Sequence, residues 1–250
     1  KMANQLKILL AHAEQVAGEH GSKIVLSGIL PSISEDEISL DYMTPNPRYY
    51  GLNERMKELR GSDFRMLLSG VDELSIFHDS VMFEACNTSF QMHLQIDPQD
   101  MVSSYNWSQA IAGPVLGICV NSPLLLGREL WSESRIALFQ QSIDTRKVSN
   151  ALSDWEARVS FGQEWATGNL VDLFKKEVIG HNIILTKEIE EDALEMVKRG
   201  TIPKLSALNL HNGTVYRWNR PCYGAAGGKA HVRIENRYIP SGPSVDDEIA

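Results

Sequence analysis

Two segments of this chain alternate apolar and polar side chains at period two, Phe90–Asp97 and Ala230–Ile239. In the first, Phe90, Met92, Leu94 and Ile96 fall on one face and Gln91, His93, Gln95 and Asp97 on the other. An extended strand sorts side chains this way, because successive Cβ atoms point to opposite sides of a sheet. A sheet with one wet face is characteristically antiparallel, since parallel sheets are covered on both sides. Helical spacing appears elsewhere, as in Leu6, Ile8, Leu9, Ala13, Val16 and Ala17 of Asn4–Ala17, with Gly18 and Gly21 as stops. Leu52–Leu59 before Gly61, Arg128–Ser142, and Ile189–Lys198 before Gly200 read as further helices. So does Trp107–Val120, with an interruption expected at Gly113-Pro114. Lys23–Gly28 and Asp63–Ser69 read as short strands. No βαβ rhythm, internal repeat or Pro-rich linker divides the chain. The expected class is α+β, a largely antiparallel sheet with flanking helices, in one domain over residues 1–250.

With 43% hydrophobic and 22% charged residues, a chain of 250 residues can bury a sizeable core. A formal net charge of −8 argues against nucleic acid or an anionic membrane as partner, although a local cationic pocket for ATP stays compatible with it. Cys86, Cys119 and Cys222 are far apart and form no CxxC pair, the pattern of a reduced, cytoplasmic protein. They read as small buried hydrophobes. No signal peptide is visible, and the longest apolar run, Ala110–Val120, is too short to cross a bilayer. Asn-x-Ser/Thr triplets at Asn87, Asn106 and Asn212 read as chance. Ser244, with Asp247 three residues on, starts a helix that reaches Ala250 before completing two turns, and the first residue is Lys1. The expectation is a fragment.

In the last strand Lys229, His231, Arg233, Glu235 and Arg237 share one face. A charged strand face is in the first place a solvated one. This strip differs in kind, because Arg presents fork-shaped donors to phosphate or carboxylate and Glu offers a hard oxygen to Mg²⁺. The strip on Phe90–Asp97 has the same two readings, and it gains weight if both share a cleft. Gly224–Lys229 has the look of a phosphate-binding loop but not its spacing. No Ser or Thr follows Lys229, and a strand follows instead of a helix. It reads as a turn feeding the final strand.

Several motifs occur in order: Met43-Thr-Pro-Asn-Pro-Arg-Tyr49, the run from Met82 to Asp97, Asn121-Ser-Pro123 with Gly127, then Arg135, Arg146 and Ile234-Glu-Asn-Arg237. Together they resemble the plant- and bacterial-type glutamate–cysteine ligase family, and within it a bacterial branch whose core is joined to CBS domains. The resemblance implies a glutamine-synthetase-like core with a curved antiparallel sheet lining a funnel. It implies a carboxylate–amine ligase of glutathione biosynthesis that uses ATP and Mg²⁺ and makes an amide from small amino acids through an acyl phosphate. By the same resemblance Glu235 and His93 would be Mg²⁺ ligands, and Arg237 would hold the transferred phosphoryl group. Gln91 would line the same floor, and Arg48 and Arg135 would grip a carboxylate or phosphate. Arg233, on the strip itself, is a further candidate for binding substrate or ATP. For Arg135 the competing reading is a surface pair with Glu129 or Glu133.

The chain also departs from the family. The Glu-x-Glu strand that supplies further metal ligands is not found and would precede Lys1. Tyr238-Ile-Pro-Ser-Gly follows Arg237, and His231 and Arg233 stand where apolar residues are common. The carboxylate donor and the amine acceptor therefore stay open. The expectation is a partial ligase domain, inactive alone, lacking its first strand or strands and a C-terminal continuation. Attached CBS domains and a homo-oligomer are compatible with it. The rival readings are a non-catalytic nucleotide sensor or scaffold and a phosphagen-kinase-like phosphotransferase.

Overall fold

The computed structural model describes residues 1–146 and 156–250. Helix α1 (Met2–Glu19) is followed by α2 (Pro47–Arg60). Asn46 caps α2 by accepting the Arg48 N–H at 3.0 Å, and Pro47 presets the first turn. Gly61 ends the helix in the left-handed region, at φ 68°. Strands β1 (Phe64–Ser69) and β2 (Glu73–His78) make a hairpin. There follow α3 (Met82–Ala85), β3 (Met92–Ile96), α4 (Met101–Ile118), the hairpin of β4 (Leu124–Leu125) and β5 (Arg128–Glu129), and α5 (Ser134–Ser142). Beyond residue 156 come α6 (Leu170–Gly180), α7 (Ala193–Lys198), α8 (Ser206–Asn212), the hairpin of β6 (Asn219–Ala226) and β7 (Lys229–Asn236), and α9 (Val245–Ile249). No helix among the described residues is long and apolar enough to cross a membrane.

The class is α+β, and the paired strands run antiparallel. One continuous curved sheet is not what forms. The described strands fall into three sheets, β1-β2, β3-β7-β6 and β4-β5. Phe64, Met66 and Leu68 of β1 are buried with Phe139 and Leu138 of α5, so that hairpin docks through side chains and not edge to edge.

Four local expectations are corrected. Lys23–Gly28 forms no strand. Ile24 and Val25 are exposed, and the segment's backbone ties begin only at Gly28, to Asn121 and Thr88. Helix α4 runs unbroken through Pro114, whose missing N–H frees a carbonyl at exposed Ala110, where solvent can satisfy it. Helix α5 starts at Ser134, because Leu126 and Gly127, at φ 50° and 71°, turn the preceding residues into the β4–β5 hairpin. Helix α7 begins only after Asp192, whose side chain accepts the Glu195 N–H at 3.0 Å. The side-chain amides of Asn87, Asn106 and Asn212 all donate to carbonyls within the fold.

The sheet β3-β7-β6 has one apolar and one polar face. Val232 and Ile234 of β7 pack with Met101 and Tyr105 of α4 and Leu173 of α6. Edge strand β3 is less well covered. Met92 and Leu94, on its apolar face, are 38% and 41% exposed, because α4 lies against β6 and β7.

Candidate functional site

The polar face of that sheet carries one rung of three charged residues. The β3–β7 register puts His93 opposite Glu235, and the β6–β7 register puts Arg220 opposite Glu235 from the other side. Gly227 and Gly228, at φ 56° and 73°, supply the left-handed turn that fixes the second register. This is the Gly-rich stretch read above as a turn, and a turn it is.

Glu235 lies at the centre with its side chain 5% exposed. Its Oε2 accepts from Arg220 Nε at 2.7 Å and meets Nη2 at 2.6 Å, a two-pronged pair. Its Oε1 lies 3.8 Å from Arg237 Nε and 3.7 Å from His93 Nε2. Burial opposes ionisation of Glu235, but Arg220 and Arg237 outweigh it and hold the carboxyl below its ordinary range. Arg233 Nε donates to His93 Nδ1 at 3.0 Å. Partial burial, with three guanidiniums nearby, holds the imidazole below its ordinary range as well.

Arg237 follows β7, and its N–H donates to the Trp218 carbonyl at 2.8 Å. Its guanidinium carbon lies over the rings of Phe139 and Tyr216, at 5.9 and 5.8 Å. Its Nε and Nη1 are buried with no hydrogen-bond partner among the described residues. Burial and then the neighbouring Arg220 press its pKa down. A guanidinium held this way is short of an anion.

Beside it opens a cavity of about 710 Å³ lined by Arg48, Tyr49, Val81, Glu84, Thr88 and Tyr216, among others. Tyr216 links it to Arg237. Arg48 leaves the first turn of α2 and reaches Gly213, where a Cβ would sit 3.6 Å from its Nη2. Among the described residues the Arg48 guanidinium has no acidic partner.

The structure thus brings His93, Arg233, Glu235 and Arg237 together and sets Arg48 at the adjoining cavity. Gln91 lies just outside β3, exposed, with its Nε2 donating to Ser89 Oγ at 3.2 Å. Arg135 is elsewhere. It is 2% exposed, donates to Glu133 Oε1 at 3.0 Å and to the carbonyls of Arg237 and Tyr238, and lies over the Trp218 ring. It braces the segment carrying Arg237 from beneath and offers no free fork to a substrate. Its partner is Glu133, as the competing reading had it, but the pair is buried and not on the surface.

The metal reading meets a stereochemical obstacle. Among the described residues no group of three or more His, Cys, Asp or Glu could hold a metal. Guanidinium nitrogens only donate, so His93 Nδ1 must accept from Arg233, which leaves the proton on Nε2. That nitrogen then points an N–H, not a lone pair, toward Glu235. With two guanidiniums, Arg220 and Arg237, already about its one carboxylate, the rung as it stands does not fit Mg²⁺.

Arg220 and Glu84 are the residues the sequence reading missed. The signal for Arg220 was present. Reflecting the last strand about Gly227-Gly228 sets Arg220 opposite Glu235.

No curated protein matches this chain, and no solved structure matches it. A family model described as glutamate–cysteine ligase family 2 (GCS2) matches residues 1–177. The match takes in Arg48, Gln91, His93 and Arg135, whereas Arg220, Arg233, Glu235 and Arg237 lie beyond it. Because it spans well over half of the sequence, this chain belongs to glutamate–cysteine ligase family 2.

Proposed function

We propose that this chain carries the phosphoryl-binding floor of a carboxylate–amine ligase of the glutamate–cysteine ligase kind, with MgATP as one substrate. The observation that carries the reading is the buried guanidinium edge of Arg237, which makes no hydrogen bond among the described residues and lies against Tyr216, a wall residue of the cavity that holds Arg48. Family membership supplies the reaction class.

A carboxylate is a poor acyl donor, because the oxygen that must leave is a poor leaving group. Transfer of the γ-phosphoryl group makes an acyl phosphate and ADP. An amine then attacks the acyl carbon, the C–N bond forms, the C–O bond to phosphate breaks, and the amine proton passes to base. Negative charge on the phosphoryl oxygens is the demand that both steps share. Donors fixed in a buried site meet that demand without reorganising, which is the physical use of Arg237 backed by Arg233. Arg48 holds the substrate carboxylate. Glu235 keeps Arg220 paired and so fixes the polar rung on which Arg233 and Arg237 are set.

The test is ADP release by the full-length protein that carries these residues, with L-glutamate and a panel of amines and with product masses. The expected product is an amide. A phosphorylated guanidine would mark a phosphagen-kinase-like activity instead, and no ADP release with any pair would overturn the ligase reading.

A further inference from the structure

Two acidic residues, Glu37 and Glu84, line this cavity and are not used by the mechanism above. The Glu37 carboxylate already accepts from the Ser34 N–H and hydroxyl, at 2.8 and 2.9 Å, which leaves Glu84 as the acid to be explained. It sits in α3, whose Met82 and Phe83 are buried. That anchoring turns the Glu84 side chain to the cavity shared with Arg48 and Tyr216. Among the described residues its carboxyl makes no hydrogen bond and no ion pair. Leu30, Leu52 and Val81 give the wall apolar stretches between its polar groups. Burial raises the carboxyl to about 7, against the pull of Arg237. A desolvated acid with nothing to pair with is costly unless a ligand supplies the missing donor.

We infer that Glu84 sets the substrate class of this cavity by receiving the ammonium group of a zwitterionic amino acid whose carboxylate is held from the Arg48 side. The inference rests on the ligase reading, which gives Arg48 its carboxylate, and it adds the opposite pole. A cation and an acid in one cavity, neither paired among the described residues, complement the two ends of an α-amino acid. A simple carboxylic acid would leave Glu84 facing no donor. The volume also suits it, since cavities of roughly 300–1,000 Å³ are the usual size for small-molecule sites. Glu84 is a specificity residue here and takes no part in phosphoryl transfer.

The experiment is calorimetric titration of the protein with two matched pairs, L-glutamate against glutarate and L-cysteine against 3-mercaptopropionate. Wild type should prefer at least one amino acid over its des-amino partner by about tenfold or more, the value of a charge-assisted hydrogen bond. Glu84→Gln should bring that ratio close to one by weakening the amino acid alone. Equal binding of both members of each pair by wild type overturns the inference without any variant. So does a Glu84→Gln protein that keeps its melting temperature and its preference, or one that loses both members of a pair equally. The titrations use the full-length protein that carries these residues, and ADP release and amide formation are measured on the same wild-type sample. Turnover with no ammonium preference overturns the role of Glu84 alone, and the absence of turnover overturns the ligase reading beneath it.

Discussion

Arg220 and Glu235 face each other across the β6–β7 hairpin and close an ion pair of 2.6 Å, with side chains 15% and 5% exposed. An acid flanked in sequence by Arg233 and Arg237 would read as a member of an exposed alternating strip. The hairpin changes its chemistry, because the strongest partner comes from the neighbouring strand. Glu235 is neutralised by Arg220, and this leaves the guanidinium edge of Arg237 without a full partner. A stability role and an anion-binding role thus fall to different residues of one rung.

Glu235→Gln should cost fold stability. The change removes the carboxylate charge and strands Arg220 in a buried setting, and breaking a buried pair from one side typically costs about 3–5 kcal/mol. For a chain this long that is a fall in melting temperature of roughly 10 °C, at about 2–4 °C per kcal/mol. In an Arg220→Gln background the same change should cost less. Urea titrations of the four proteins of this cycle measure the coupling, and strictly additive losses would show that there is none.

Arg135→Lys should behave as a lesion of the scaffold. Lysine keeps the charge but cannot reach Glu133 and the two backbone carbonyls together. The expected result is a lower melting temperature and a lower kcat, with KM for the carboxylate substrate changed by less than about threefold. A large rise in that KM with an unchanged melting temperature would return Arg135 to the substrate site.

These two residues also show where sequence reading reaches and where it stops. Period-two alternation set the parity of His93 and Glu235, since side-chain parity along a strand is a matter of covalent geometry. The pairing of β3 with β7 then put both on one face. Pairing depends on what the other strand carries, and Arg220 becomes visible only once the turn at Gly227-Gly228 is used as an axis. Arg135 shows the opposite limit. Its helix and its neighbour Glu133 were legible, but not its burial, because that depends on Tyr216 and Trp218 arriving from a distant part of the chain to pack on Phe139 of the same helix. Lys23–Gly28 has strand composition and no strand partner, which no local pattern reveals.

His181 should make stability fall with acid. Its imidazole is buried, with Nδ1 3.1 Å from the Glu177 carbonyl oxygen and Nε2 lacking a partner among the described residues. Burial, aided by Arg217 and Arg158, pushes its pKa down to about 4 from an ordinary value of 6.5. Between those values the unfolded chain binds a proton that the folded one refuses. Stability is therefore complete above about pH 6.5 and is lost as pH falls toward 4, at up to about 1.4 kcal/mol per pH unit from this group. Urea midpoints against pH should show a shallower slope over that window for His181→Gln. An identical slope would mean that the imidazole does not titrate differently on folding.

Arg237→Met is the sharpest test of the floor, because it separates binding from folding. In most buried positions, losing an arginine destabilises by breaking its hydrogen bonds. Here Nε and Nη1 make no hydrogen bond among the described residues, the contact of Nε with Glu235 is long at 3.8 Å, Glu235 stays neutralised by Arg220, and Arg220 itself repels Arg237. A methionine side chain can still pack on Phe139 and Tyr216. The melting temperature of the variant should therefore equal or exceed that of wild type, which no structural arginine would give. ADP formation should fall by roughly two to three orders of magnitude, the usual cost of removing one fixed donor from a developing charge. A second readout needs no turnover. Inorganic phosphate that binds the folded state stabilises it by mass action, so millimolar phosphate should raise the melting temperature of wild type and leave that of the variant unchanged. A variant that melts several degrees lower and is still protected by phosphate would make Arg237 part of the scaffold, and the anion would then have to be held elsewhere on the rung.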